Sequence, residues 1–448
     1  MKPLLAVSAL CLGLMLSACG ARPLASVRPL YPSDEKFVSE PRIEGEWVST
    51  TLKNASSGEA GDPWRITPAK PGCYTVDMLS NNPNKEQSHE ASYLACLLGL
   101  ENKLFSDSQL RTMKVGAQNV KPDEMGPGMT TVHLIGRVWV QQDFIRLADM
   151  SATWMDNNTP EEQRSHGLFT GSTQELRKLV GPLPDNEGLE PAWYLCRPGT
   201  DCDARVVADE LARQPDDHDV LEQAALFFLR TGDYDRAVAL QRHCVDVCPT
   251  DSDPHAMLGY ALLFKRDFAG ARNEISLSHK LHPEEPIEGW LAITYFLEGN
   301  YAESAKLLAA RPAQPPESPQ EIILNYASLA RMGRAKQAEA LLAERMAKFS
   351  GTEEEHLFLL RAAGRIKDFT PKWTDNELDG ADAVFYALAR AAKGDIDAAR
   401  RALETTLQRA GKNMPGFLGA TIEMERLKAK PTEPEPEPKA KPKKKTQP

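Results

Sequence analysis

A short turn-like pattern returns along the second half of the chain at a nearly constant interval, and that interval restricts the fold more than any other feature. Gly232-Asp233-Tyr234, Arg266-Asp267-Phe268, Gly299-Asn300-Tyr301 and Gly333-Arg334-Ala335 lie 34, 33 and 34 residues apart, and Gly394-Asp395-Ile396 follows further on. The period equals one pair of short antiparallel helices with its turns. A single pair cannot bury its own apolar stripe, so successive pairs must stack. Five residues beyond each anchor stands a small residue (Ala237, Ala271, Ser304, Ala338, Ala399) where two helices approach closely. Pro249 and Pro283, 34 residues apart, stop the second helix of the first two units. The pattern predicts an all-α solenoid over residues 203–428, with a groove lined by the first helix of each pair. Arg266 in place of a turn glycine, a proline-rich break over 310–319, and a poor fit over 353–379 weigh against one uninterrupted groove.

Spacing, small residues and terminating prolines together resemble the tetratricopeptide repeat family over roughly half the chain. The resemblance implies a groove that receives an extended peptide or a partner helix. On the expected first helices, Asn325, Tyr326, Arg331, Arg361 and Arg390 are the candidate partner-binding residues.

The N-terminus carries the only membrane signal. Lys2 precedes an apolar run from Leu4 to Leu16, too short to span a bilayer and of the right length for a secretory signal. It ends in Leu16-Ser17-Ala18-Cys19, which resembles the lipobox of bacterial lipoproteins. That resemblance implies a signal peptide over 1–18, cleavage before Cys19, a diacylglyceryl group on the Cys19 sulfur and a fatty acyl chain such as palmitate on its amino group. The alternative is a plain secretory signal cut nearby. Gly20, where inner-membrane retention favours Asp, directs the expectation to the outer membrane, facing the periplasm. Residues 19–42, rich in Pro, Ser and charge, read as a lipidated tether.

Over residues 43–182 the apolar period shortens to two. Glu46-Trp47-Val48, Trp64-Arg65-Ile66, Cys73-Tyr74-Thr75-Val76, Ser92 to Leu97, Val132 to Ile135 and Val138-Trp139-Val140 are short, aromatic and β-branched, with Gly, Pro and Asn between them. A small, mostly antiparallel β domain of six to eight strands is expected. Gly45-Glu46-Trp47 resembles the Gly-x-Trp opening of lipocalin-like barrels, while a sandwich or half-barrel fits the alternation equally well. Ser172 to Val180 reads as a capped helix. The run from Val132 through Ser151-Ala152-Thr153-Trp154 to Leu176 resembles a domain of uncharacterised bacterial lipoproteins, which implies no activity. His133 reads as a hydrogen-bonded core histidine, and Trp47, Trp64, Trp139 and Trp154 as core rather than cavity lining.

Setting aside Cys11 in the signal and Cys19, six cysteines remain, and chain order suggests local disulfides: Cys73 with Cys96, Cys196 with Cys202, Cys244 with Cys248. The second closes a Pro198-Gly199 turn in the connector, residues 183–202. His243, Asp246 and the pair Cys244/Cys248 also have metal-ligand chemistry, but two thiolates without a second pair make an incomplete site, so no metal is expected. His279 and His282 lack a third ligand and read as surface residues at a helix end. Residues 429–448, alternating Pro and Glu before a lysine run, cannot form a core and read as an extended tail.

A net charge of −10 with no concentrated basic face argues against nucleic acid as a partner. Nucleotide, zinc-protease and serine-hydrolase motifs are missing, and Ser33-x-x-Lys36 falls in the tether where nothing holds a nucleophile. No cofactor is implied. The reading is a non-catalytic, lipid-anchored envelope scaffold that binds an envelope protein or peptide through its repeats. Small-ligand binding by the β domain and a cryptic hydrolase are the alternatives.

Overall fold

A computed structural model of the chain describes residues 24–80, 89–115, 118–120, 132–165, 168–185, 187–283, 287–310, 318–365, 381–412 and 414–428. The signal peptide, Cys19 and the tail lie outside these residues. The chain forms two compact units, 1–228 and 229–448.

The first unit is built on a closed antiparallel barrel of eight strands: β1 (Gly45–Thr50), β2 (Pro63–Lys70), β3 (Cys73–Met78), β4 (His89–Leu100), β5 (Lys103–Val115), β6 (His133–Val140), β7 (Phe144–Asp149) and β8 (Trp193–Cys196). Each strand pairs with the next, β8 pairs back onto β1, and the closure leaves no open edge among the eight. The barrel, not a sandwich, is thus the architecture, and Gly45-Glu46-Trp47 opens its first strand. Trp47 is wholly buried at one end, donating from Nε1 to the Ile43 carbonyl at 2.7 Å. Arg197 lies over its ring at 3.7 Å and donates to the carbonyls of Arg42 and Glu46. Ile66, Tyr74, Leu97, Val138, Ile145 and Leu195 pack around it and fill that end.

Two expectations change. The stretch read as a tether is folded from Leu24 onward: Leu24 and Leu30 are wholly buried against Leu98, Phe105, Ile135 and Leu176 on the outer face of the sheet, and Ala25–Ser26 pairs with β6. Two leucines among polar residues suffice, because they cap an apolar outer face already present. The connector, in turn, contains the closing strand β8. Around the barrel stand α1 (Leu52–Ser57), α2 (Ala152–Asn158) and α3 (Thr173–Val180), the last beginning at a capping box between Ser172 and Glu175.

Helices α4 (Cys202–Arg213) and most of α5 (His218–Thr231) belong with the barrel rather than the repeats. A Cys196–Cys202 disulfide, Tyr194 donating to Glu210 at 2.6 Å with Asp209 3.0 Å from the same hydroxyl, Arg205 donating to Gln141, and Ser56 to Gln223 tie them there. Cys73 and Cys96 are register partners on β3 and β4 and form the other disulfide.

The second unit continues the hairpins: α6 (Tyr234–Val247), α7 (Ser252–Phe264), α8 (Phe268–Leu281), α9 (Glu288–Glu298), α10 (Tyr301–Ala310), α11 (Pro319–Arg331), α12 (Ala335–Lys348), α13 (Glu353–Ala362), α14 (Ala381–Ala392), α15 (Ile396–Arg409) and α16 (Pro415–Lys428). The turn signature has a direct cause. Gly232, Gly299, Gly333 and Gly394 all adopt positive φ, ending one helix in the left-handed conformation that glycine reaches without strain. The residue after each starts the next helix: Asp233, Asn300 and Asp395 accept backbone N–H groups of its first turn, and Asp267 does so after Arg266. Ala237, Ala271, Ser304, Ala338 and Ala399 are all buried, as close helix approach requires. Gly364, with φ +67°, marks a further turn after α13 that the sequence pattern did not show.

Candidate functional site

The row of turns is occupied. Helix α16 packs on α14 and α15, with Gly419 against Val384, and its last turns reach three earlier hairpins. Glu425 takes both guanidinium nitrogens of Arg266, each at 2.8 Å. Arg426 donates to the carbonyls of Phe296 and Leu297 at the end of α9. Glu423, 2% exposed, accepts from Arg331 of α11 at 2.6 Å and from Arg426 at 2.5 Å. A buried carboxylate costs several kcal/mol unless paired, and here two guanidinium groups pair it.

The departure at Arg266 now has a reason. It sits at φ +61°, where a side chain is disfavoured, and that side chain is the one Glu425 grips. Their hydrogen bonds hold the Glu425 carboxyl below its usual range and raise the Arg266 guanidinium. Beside this turn, Thr231 to Asp235 and Phe264 to Arg266 line a hollow of about 640 Å³.

Of the candidate partner-binding residues, Asn325 and Tyr326 are buried at 3% and 1% exposure. The Tyr326 hydroxyl donates to Glu339, which also accepts from Lys393. Arg331 is held by Glu423, and Arg390 pairs with Asp395. Arg361 is half-buried on α13. Arg331, and Tyr326 by way of Glu339, tie hairpins to one another, while Arg390 closes its own turn. Helix α11 is apolar on most sides because α9, α10, α12, α13 and α14 all pack on it, and the sequence stripe alone had assigned it a free face.

The opposite edge of the array differs. There the second helices end and the next first helices begin, and there Val247, Leu277, Leu281 and Trp290 are exposed, Trp290 at 49%. Three of the four flank the single α8–α9 connection. An exposed tryptophan beside two leucines is the kind of patch that marks an interaction surface.

In the barrel unit, His133 is buried, its Nδ1 2.5 Å from Asp107 and its Nε2 2.9 Å from Gln109. Trp139 and Trp154 lie outside the lumen: Arg146 stacks on Trp139 at 3.7 Å, and the two indoles donate to Asp185 and Glu187. Cys244 and Cys248 are not joined, contrary to expectation. The helix ends at Val247 and Cys248 caps it, its N–H on the Cys244 carbonyl at 3.0 Å, and neither sulfur is in a disulfide. Among the described residues no three His, Cys, Asp or Glu side chains are placed to hold a metal ion, and no helix is long and apolar enough to cross a membrane.

No protein-family model and no curated protein sequence matches the chain. Among solved structures, a tetratricopeptide repeat protein from Parabacteroides merdae is similar over 50% of this chain and 76% of its own, at 13% identity and a TM-score of 0.35. YrrB, a TPR protein with an unusual peptide-binding site, is similar over 49% of this chain and 97% of its own, at 11% identity and a TM-score of 0.26. The Naa15/Naa10 assembly bound to HypK-THB is similar over 50% of this chain at 19% identity and a TM-score of 0.25, and the match spans only 31% of that chain.

Proposed function

We propose that the protein is a non-catalytic, lipid-anchored scaffold of the bacterial envelope that holds another envelope protein or peptide through its helical repeats. The observation that carries the reading is the exposed Leu277, Leu281 and Trp290 patch at the α8–α9 connection, on the array edge that α16 leaves uncovered. The partner docks an apolar segment there, with Trp290 as its anchor. Anchoring rests on Leu16-Ser17-Ala18-Cys19 and outer-membrane placement on Gly20.

The test places a photocrosslinking amino acid at position 290 in cells and, as control, at Ala398 on α15. One envelope protein captured at 290 alone, and lost with Leu281→Asp, supports the scaffold. Equal capture at both positions, or none at either, removes it. Labelling with an alkynyl palmitate tests the anchor separately: incorporation should vanish in Cys19→Ala.

A further inference from the structure

Strand alternation sends Trp64, Tyr93, Ser106, Asp149 and Trp193 into the barrel lumen, on the register that also buries Trp47 and Leu195. At the Trp47 end Trp47, Ile66, Tyr74, Leu97, Val138, Ile145 and Leu195 are buried against one another. Toward the other end, Tyr93, Ser106, Asp149 and Trp193 face inward yet keep partial contact with solvent. Among the described residues, two polar groups in this part lack a protein partner. Trp64 is 8% exposed, and its buried Nε1–H finds no acceptor. The Asp149 carboxylate receives no hydrogen bond from any described residue. Burial, followed by the charge of Glu190, pushes its pKa up to about 6, and no cation offsets either. Proteins pair their buried donors and charges. One apolar lumen that leaves both a donor and a carboxylate unpaired is built for something not in the chain.

We propose that the barrel lumen binds a small amphipathic amine, whose ammonium pairs with Asp149 while its apolar or aromatic body lies against Trp64 and Trp193. The two indoles stand 6.4 Å apart and offer faces to a ring or a cation. Trp64 Nε1 donates to an acceptor on the ligand. Gly136 keeps the space beside the carboxylate open: a Cβ there would come within 3.2 Å of Asp149 Oδ1 and 3.1 Å of Ser106 Oγ. A metal ion fits less well, since no three acidic, His or Cys ligands converge among the described residues.

The probe is dansylcadaverine, a dansyl ring on an aliphatic primary amine, titrated into the full mature chain and read by energy transfer from tryptophan. Its N-acetylated form has the same body without the charge. The native protein should bind the amine at least tenfold more tightly than the acetylated form. Asp149→Asn should abolish that preference while leaving binding of the acetylated form unchanged. Gly136→Ala, which keeps Asp149 and narrows the space beside it, should weaken the amine at least threefold and serves if Asp149→Asn does not fold. Equal affinity of the native protein for both probes, a preference that survives in Asp149→Asn, or no saturable binding of either probe overturns the proposal.

Discussion

The two units treat an inward-facing carboxylate in opposite ways. In the array, Glu423 meets two arginines, one on its own helix and one on α11, and fixes the last helix to that earlier hairpin. In the barrel, Asp149 meets no cation, and its neighbour Glu190 makes ionisation harder. A paired buried charge specifies structure, and removing one partner strands the other. An unpaired one destabilises its own fold and persists where a ligand compensates. Both carboxylates lie inside their unit, Asp149 the less sealed, and the partner decides what the group is for.

The largest effect should come from breaking the pair. Glu423→Ala leaves Arg331 and Arg426 facing each other with no counter-charge, and should cost the array about 3 kcal/mol in urea unfolding, with the barrel transition unmoved. A loss below about 1 kcal/mol would mean that α16 is held by its apolar contacts alone.

Next comes the covalent difference. Both disulfides among the described residues lie in the first unit. Reductant should therefore lower the first unit's stability by about 2 to 4 kcal/mol and leave the second unit's transition in place. A shift in the second would show that Cys244 and Cys248 join in solution.

Asp149→Asn should act in the opposite sense to Glu423→Ala. The folded Asp149 pKa is raised from 3.8 to about 6, so ionisation opposes folding. The native chain loses this increment as pH rises between those values and stays without it above them. The variant should be more stable by about 1 to 2 kcal/mol at pH 8, a figure reduced for the group's contact with solvent, and equal to the native chain at pH 3. Thermal melts at both values check the sign. No gain at pH 8 would mean that something in the chain already pairs Asp149.

The smallest effect is expected at Arg266→Gly. It relieves a left-handed side chain worth about 1 to 2 kcal/mol and gives up a largely exposed ion pair worth up to about 1 kcal/mol. The net should be near zero or slightly stabilising. A loss above about 1 kcal/mol would make Arg266–Glu425 a genuine part of the α16 seat.

The array was legible because its signals are local: a glycine at positive φ, a capping Asp or Asn, a small residue one turn later. The barrel was legible as alternation, but three of its strands were not. Residues 103–115 look too polar for a strand because Ser106 and Ser108 face the lumen and Asp107 reaches His133 on the other face. The Phe144–Asp149 strand ends in a carboxylate pointed inward, and Trp193–Cys196 is only four residues long, set between Pro191 and Pro198. Closure, a property of the whole sheet, brings such segments in. The setting of Tyr326 and Arg331 was illegible for a similar reason: whether Tyr326 is free depends on α12, and whether Arg331 is free depends on a helix about ninety residues later. The available clue was Glu423 itself, an acid within the apolar run Leu418, Ala420, Ile422 and Met424.

The reach of α16 bears on how the array answers a mechanical load. Stacked hairpins normally stretch like a spring, each pair opening a little against its neighbour. A strut fastened to Arg266, to the end of α9 and to Arg331 cannot lengthen with them. Pulled from its ends, the second unit should stay stiff until that helix comes away, and then yield in one step.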